Sequence, residues 1–329
     1  MGTFRTLSAA DVQTLLAGFG LDGYRSHSAI AVGTINTNVA VETTHGRYFL
    51  RINEGKAKEE VAREAGILAH VTAAGVPTPR PLLAPTGEAW VKWQGAYATF
   101  FPWVSGRTIS RTELTPEQAG QVGRALGALH RAGATYPDHR ASRYEPQEID
   151  RRLESVARDH AHDGALQVGV RRLSGELTRL RTARVPNLPL GLIHGDLFID
   201  NVLFVSNDAD GTGEVVLLDF EQAAWGRLAY DVAVSVLAFG FGREDFRAET
   251  TRALLEGYAQ IRPFVDPERA GFADELRFAA CRFAVTRITD VYLRRSEGAP
   301  PGKDYRRYLQ RLECIAHHVG RSDGLLEPP

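Results

Sequence analysis

Lysine and cysteine are both scarce in this chain of 329 residues. Only four of its 39 basic residues are lysines, so tasks that lysine often performs, such as binding phosphate, fall to arginine. The two cysteines, Cys281 and Cys314, form neither a CxxC motif nor a Cys/His metal spacing. Their number and spacing exclude a disulfide-rich scaffold and a zinc motif. We expect both to be reduced thiols in a cytoplasmic protein.

The features of membrane and nucleic-acid-binding proteins are also missing. An apolar stretch such as Val232–Gly242 has 11 residues, too few to cross a bilayer. The N-terminus has no basic and apolar signal region. The 39 basic and 40 acidic residues give a net charge of -1, so no overall field attracts nucleic acid or an anionic membrane. The composition is that of a globular protein, and it does not give the oligomeric state.

Two parts of different character follow each other along the chain. Residues 1–104 combine helices with alternating strands, including a hairpin that turns at His45 and Gly46. Residues 105–329 are mainly helical and open with a strong helix start, in which Thr115 is the cap and a proline follows. We therefore predict an α+β protein with a small β-rich N-terminal lobe and a larger helical C-terminal lobe.

A dense group of polar residues surrounds two apolar runs in the C-terminal part. In GLIHGDLFIDNVLF, Asp196 and Asn201 are five residues apart, and Asp219 ends the next run, VVLLD. Carboxylate and amide oxygens suit Mg²⁺, and a further carboxylate can accept the proton of a hydroxyl group. Their order matches the kinase pattern HxDxxxxN followed by DF, in which the first Asp orients the nucleophile. The pattern predicts a phosphotransferase.

The N-terminal part contains the residues expected to bind phosphate. A polar loop with Gly33 and Asn36 lies between two strands, but it is neither G-x-G-x-x-G nor a P-loop, and an ordinary hairpin loop explains it equally well. Arg51, in YFLRIN, occupies the strand position where protein kinases carry a lysine. Its expected partner is Glu64, which follows on the next helix.

Three segments resemble the aminoglycoside phosphotransferase and choline kinase superfamily: HGDLFIDNVLF, LLDFEQAAWGRLAYDVA and REAGILAHVTAAGVPTPRP. Within it the chain is most similar to the protein-kinase-like homoserine kinases, through the loop GTINTNVAV and the late helix LRFAACRFAVTRITDVYL. The resemblance covers nearly the whole chain. It implies a two-lobe kinase-like fold, with nucleotide bound by residues 1–104 and catalysis and substrate binding in residues 105–329. It also implies ATP and Mg²⁺ as cofactors and a small alcohol as the substrate.

The resemblance implies a role for each matching residue. Asp196 would be the catalytic base that orients the acceptor hydroxyl. Asn201 and Asp219 would bind Mg²⁺. Arg51 and Glu64 would be the ion pair that positions the phosphates. Phe101 and Trp103 would belong to the hinge that binds adenine. His194 and Asp231 would support the catalytic loop.

The acceptor alcohol is the part that the sequence determines least. L-Homoserine needs a cation for its carboxylate, and Arg287, within the apolar stripe of the late helix, is a candidate, although a pair with Asp290 explains it as well. Homoserine kinases continue the second motif as DFYFA, whereas this chain has DFEQA, so choline, ethanolamine and aminoglycosides stay open. Residues 134–190 contain 8 acidic residues and 10 arginines, which disfavours a polycation. The alternative to an enzyme is a pseudokinase, a protein with the same fold that binds nucleotide but is catalytically inactive.

Overall fold

The computed structural model describes residues 5–30, 36–206, 213–294, 304–319 and 324–329. The chain forms two compact units: residues 1–107 with 204–221, and residues 108–203 with 222–329. The first unit thus includes residues 204–221, a segment from much later in the sequence. A single boundary after residue 104 does not describe this division. The segment is tied in by backbone hydrogen bonds, since Phe204 pairs with Arg107 and the Leu217 amide donates to the Pro77 carbonyl (2.8 Å).

The first unit is built on a five-stranded antiparallel sheet with strand order β1-β2-β3-β5-β4. Its strands are β1 Tyr24–Ala29, β2 Thr37–Thr43, β3 Gly46–Asn53, β4 Val91–Trp93 and β5 Ala96–Pro102. Its helices are α1 Ala9–Gly18 and α2 Lys58–Ala73. The predicted turn joins β2 to β3, where Gly46 has a φ of 137° that glycine adopts without steric cost.

Strand β3 separates an apolar core from a charged surface. Leu50 and Ile52 are fully buried in a core that also contains Leu15 of α1 and Phe100 of β5. Because successive side chains of a strand point to opposite faces, Arg51 lies on the other face of the sheet. The alternation in YFLRIN therefore places this cation away from the core.

The second unit is mainly helical. Its helices are α3 Pro116–Gly133, α4 Pro146–Asp159, α5 Gly164–Ala183, α6 Leu228–Ser235, α7 Ala248–Ile261, α8 Asp266–Arg287 and α9 Arg306–His318. Strand β6 Leu190–Ile193 pairs with β9 Ala224–Arg227, and between them in sequence lies the hairpin of β7 Val202–Ser206 and β8 Gly213–Leu217. The predicted helix start is confirmed, because Thr115 and Gln118 form a reciprocal capping box.

Helices α3 and α7 pack so closely that glycine is needed at their contact. A Cβ atom on Gly123 would collide with the Leu254 carbonyl, and one on Gly257 would collide with the Gly120 carbonyl. The close approach brings His130 of α3 to the hydroxyl of a tyrosine on α7, a contact that bears on the catalytic loop.

Both cysteines are free thiols, and burial raises the pKa of Cys281. A buried thiol with a raised pKa is a poor nucleophile, so chemistry is not expected there. Among the described residues, no helix combines the length and the hydrophobicity of a membrane span.

Candidate active site

Five charged side chains meet on the polar face of β3, and four of them form direct ion pairs. Arg51 Nη1 donates to Glu64 Oε1 (2.7 Å), which is the predicted pair. Lys56 Nζ lies 3.2 Å from Glu64 Oε2 and 3.0 Å from Glu221 Oε2. Sequence reasoning missed Lys56. The scarcity of lysine in the chain, with only four in all, could have drawn attention to it. The glutamate of DFEQA, Glu221, is thus part of this cluster.

The Arg51–Glu64 pair is charged despite its burial. Burial alone acts to lower the pKa of Arg51 and to raise the pKa of Glu64. The opposite charges outweigh it, so the pKa of Arg51 is raised by Glu64, and the pKa of Glu64 is lowered by Arg51 and Lys56. The guanidinium is therefore a fixed positive charge.

Asp219 belongs to the same cluster and has an unusual backbone. Its φ of 63° lies in the left-handed region, which costs a non-glycine residue roughly 1–3 kcal/mol. Its Oδ1 is buried and has no hydrogen-bond partner in the part of the chain that the structure describes. Burial raises the pKa of Asp219, Arg51 acts against that rise, and Glu221 adds to it. Counting Asp219 itself, the cluster has three acidic and two basic side chains. Its excess negative charge and the unpartnered carboxylate oxygen suit a cation.

The other predicted nucleotide-binding residues are spread over the first unit. Gly33 lies outside the described residues. Asn36 Nδ2 donates to Glu221 Oε2 (3.4 Å), and the Phe101 ring centroid is 5.4 Å from the Arg51 guanidinium, so both adjoin the cluster. Trp103, just after β5, instead stacks on the guanidinium of Arg47 at 3.6 Å.

The predicted catalytic loop, between β6 and β7, is folded back on itself in the second unit. Asn201 Nδ2 donates to the Asp196 carbonyl (2.8 Å). Gly195 has a φ of 75°, and a Cβ there would lie 2.9 Å from the Gln222 carbonyl oxygen, so glycine is required. The Asp196 side chain is 34% exposed. The loop therefore presents this carboxylate in a fixed position that solvent and a ligand can reach.

Asp231, fully buried at the start of α6, holds the catalytic loop in place through hydrogen bonds. Its Oδ2 accepts from the His194 amide (2.7 Å) and its Oδ1 from the Gly195 amide (2.7 Å). His130 Nε2 lies 3.0 Å from Oδ2, and His130 Nδ1 is 2.8 Å from the Tyr258 hydroxyl. Burial acts to raise the pKa of Asp231, but His130 and the amide donors lower it overall. The sequence pointed to Asp231 and His194 as supports, whereas nothing in it marks His130.

A buried arginine, Arg282 of α8, is the cation next to Asp196. Its Nη1 lies 3.4 Å from Asp196 Oδ1, and the residue is 3% exposed. The guanidinium sits 4.0 Å from the Tyr144 ring centroid and 3.8 Å from that of Phe283. Sequence reasoning missed Arg282.

The arginine that sequence reasoning selected, Arg287, has other partners. Its Nη1 donates to the Asp304 carbonyl (3.3 Å). The alternative of a pair with Asp290 is wrong, because Asp290 lies 3.6 Å from Arg152 and 3.7 Å from Arg294. Arg287 is thus left without a carboxylate from the described residues.

The chain is similar to known phosphotransferases. The model of the phosphotransferase enzyme family matches residues 26–264. A homoserine kinase from Xanthobacter autotrophicus is 31% identical over 315 residues, which cover 95% of each chain.

Solved structures at lower identity support the fold. A spectinomycin phosphotransferase in complex with ADP and spectinomycin has a TM-score of 0.68 at 14% identity, covering 96% of both chains. An amicoumacin kinase in complex with AMP-PNP and Ca²⁺ has a TM-score of 0.69 at 18% identity, covering 95% of this chain and 94% of that one. The predicted α+β kinase-like fold is confirmed. The matched family model and the nearly full-length relative show that this chain belongs to the phosphotransferase enzyme family.

Proposed function

We propose that this phosphotransferase is an ATP-dependent kinase acting on the side-chain hydroxyl of L-homoserine, in the cytoplasm where ATP is the phosphoryl donor. The observation that carries the reaction type is Asp196, a partly exposed carboxylate held on a rigid loop beside Arg282. The acceptor rests on the similarity of nearly the whole chain to a protein named homoserine kinase. Sequence reasoning from DFEQA left this acceptor open.

In the proposed reaction Asp196 accepts a hydrogen bond from the acceptor hydroxyl and takes its proton as the oxygen attacks the γ-phosphorus. A bond forms between that oxygen and phosphorus, and the bond from phosphorus to the bridging oxygen of ADP breaks. Arg51, fixed by Glu64, binds phosphate oxygens, and its permanent charge favours the transfer. Positioning supplies much of the rate, and no covalent enzyme intermediate is needed.

Asp219 and Asn201 are the proposed Mg²⁺ ligands. Asp219 fits because its Oδ1 is orphaned in a cluster with an excess of one acidic side chain. Asn201 fits because its Nδ2 is used by the Asp196 carbonyl, which leaves the amide oxygen as a ligand. No three His, Cys, Asp or Glu side chains are grouped as a metal site among the described residues, so Mg²⁺ held by these two residues would need further oxygen ligands from water and phosphate. Its charge would offset that of the phosphates.

The variant Asp219→Asn should need much more Mg²⁺ for turnover, by a factor of about 10 or more, since it removes the charged ligand. Its unfolding midpoint in EDTA should stay close to that of the wild type, because the lost oxygen has no hydrogen bond to break. The rate of ADP release against Mg²⁺ concentration checks this. The exposed Glu214→Gln, on the β7–β8 hairpin, is the matched control and should behave like the wild type. An unchanged Mg²⁺ dependence in Asp219→Asn would remove Asp219 from the metal site.

A panel of acceptor alcohols tests the proposed substrate. ADP release from Mg²⁺ and ATP is measured with L-homoserine, choline, ethanolamine, methylthioribose and kanamycin. We expect turnover with L-homoserine alone. Turnover with another member and not with L-homoserine would overturn the acceptor and keep the reaction. No turnover with any member, in a protein that still binds ATP, would favour the pseudokinase alternative.

A further inference from the structure

A continuous stack of rings and guanidinium groups begins beside Asp196. The guanidinium of Arg282 lies 3.8 Å from the centroid of the Phe283 ring. The Phe283 and Tyr308 rings stack at 5.3 Å with an interplanar angle of 20°. Arg311, on α9, lies 4.5 Å from the Tyr308 centroid. We call Arg282, Phe283, Tyr308 and Arg311 the arginine stack, and all its members belong to the second unit.

The stack contains more positive charge than its surroundings balance. The guanidinium of a third cation, Arg287, lies 4.5 Å from the centroid of the Tyr308 ring. Asp196 contacts Arg282, but neither Arg287 nor Arg311 forms a salt bridge with any acidic side chain in the described parts of the chain. Within the described parts of the chain, Arg311 donates one long hydrogen bond, to the Arg307 carbonyl at 3.4 Å.

Several donors in the stack are buried and unused. Tyr308 is 0% exposed and Arg311 is 2% exposed. The Tyr308 hydroxyl and the Nε atoms of Arg282 and Arg311 have no hydrogen-bond partner among the described residues. Buried polar groups in proteins are almost always hydrogen-bonded, and a buried cation is unfavourable without an anion. The unused donors therefore point to an anionic ligand.

The pKa values agree with this geometry. Burial, together with the nearby cations Arg111 and Arg287, lowers the pKa of Arg311 to about 10. Burial also lowers the pKa of Arg287. Both arginines are still positively charged at neutral pH, but each would gain from an anion.

The position of the stack relates this anion to the reaction. Asp196 is close enough to favour the charged form of Arg287. The catalytic loop also contacts the stack directly, because Phe198 packs edge-on against Phe283 with a centroid distance of 4.9 Å. An unbroken series of contacts thus joins Asp196 to the unused donors of Tyr308 and Arg311.

We propose that Arg311 and the Tyr308 hydroxyl bind a carboxylate of the acceptor, so that the enzyme selects hydroxy acids over simple amino alcohols. The inference rests on the proposed function, in which the acceptor hydroxyl meets Asp196. The guanidinium fork gives two parallel donors to a carboxylate, and the tyrosine gives a third. Arg282, between Asp196 and the Phe283 ring, is then a positioning residue for the catalytic carboxylate.

Two acceptors that differ only in the carboxylate test the site. L-Homoserine and 3-amino-1-propanol share the hydroxyl and the amine, and only the first has a carboxylate. Arg311→Met should raise KM for L-homoserine by about 10- to 100-fold, the range for a lost charged hydrogen bond, and leave KM for ATP and for 3-amino-1-propanol unchanged. Tyr308→Phe, which keeps the ring, should raise KM for L-homoserine less and in the same direction.

Stability and a surface variant are the controls. Arg311→Met should unfold at the same urea concentration as the wild type or a higher one in the absence of substrate, because it removes an unpaired buried charge. Arg171→Met removes an exposed arginine of α5 and should leave every KM unchanged. If Arg311→Met fails to fold, Tyr308→Phe and Arg311→Lys give the same comparison of acceptors.

The outcomes separate this site from the proposed function. If the wild type phosphorylates L-homoserine and Arg311→Met affects both acceptors equally or neither, the carboxylate site is wrong and the function stands. If the wild type does not phosphorylate L-homoserine, binding of L-homoserine to the wild type and to Arg311→Met is measured by calorimetry to test the site separately. Binding that Arg311→Met abolishes supports the site and overturns the function, whereas no binding overturns both.

Discussion

Replacing Asp196 by asparagine is expected to lower kcat by about 10²- to 10⁴-fold, the usual contribution of a general base. Asparagine has nearly the same shape but can neither take the proton of the acceptor hydroxyl nor carry the negative charge that orients it. KM for ATP should change little, because the cluster around Arg51 is untouched. Initial rates of ADP release at saturating ATP and acceptor measure the effect.

The same loop provides a matched control for Asp196. Asp200 is exposed four residues later, in the short 3₁₀ turn of residues 199–201, and Asp200→Asn should keep the wild-type rate. Asp196→Asn should lower the unfolding midpoint only slightly, because its side chain is partly exposed and its one ion pair among the described residues, with Arg282, is long at 3.4 Å. Retention of more than about a tenth of the wild-type kcat would exclude Asp196 as the base.

Asp231→Asn is expected to lower the free energy of unfolding by about 3–5 kcal/mol, because it disrupts the hydrogen bonds of a buried carboxylate. The Asp231 carboxylate accepts from two backbone amides and from His130 Nε2. An asparagine amide group has one oxygen, so its NH₂ group would face at least one of these donors across a buried contact. The midpoint and slope of urea unfolding measure the loss.

The pH dependence of stability gives a second test of Asp231. The pKa of Asp231 is lowered in the folded protein, so its stabilisation is present above the pKa of an unfolded aspartate and is lost as the pH falls toward the folded value. The wild type should therefore lose stability below about pH 4, and Asp231→Asn should lose less over the same range.

An exposed aspartate is the control for Asp231. The Asp266 side chain is 99% exposed in its pair with Arg269, so Asp266→Asn should change the free energy of unfolding by at most about 1 kcal/mol. Equal effects of the two substitutions would show that Asp231 is not the anchor of the catalytic loop.

Function and stability oppose each other at Asp219 and Arg311. Asp219, in a left-handed conformation, has one buried carboxylate oxygen without a hydrogen-bond partner among the described residues. Arg311 is a buried cation without an acidic partner among the described residues. Neither arrangement favours folding by itself. Each becomes favourable when a ligand of opposite charge is bound, which is why these positions mark candidate ligand contacts.

The sequence by itself determined which polar side chains the loop carries and the fold class around it. The order Asp196, Asn201, Asp219 and the alternation around Arg51 are local, and such patterns survive folding because loop spacing and strand alternation do not depend on distant contacts. The same holds for the helix start at Thr115. The pairing of Arg51 with Glu64 could be predicted as well, because the helix directly follows the strand.

Only the tertiary structure decided which buried cations and supports serve the site. Residues 278–286 of α8 are all buried, so helical periodicity could not show that Arg282 faces Asp196. The sequence singled out Arg287 instead, as a candidate for the substrate carboxylate. His130 reaches Asp231 from α3, and Tyr308 of α9, the helix that also carries Arg311, stacks on Phe283 of α8. Contacts of that kind depend on how helices pack against one another, and close packing at residues such as Gly123 is set by the whole fold rather than by any local pattern.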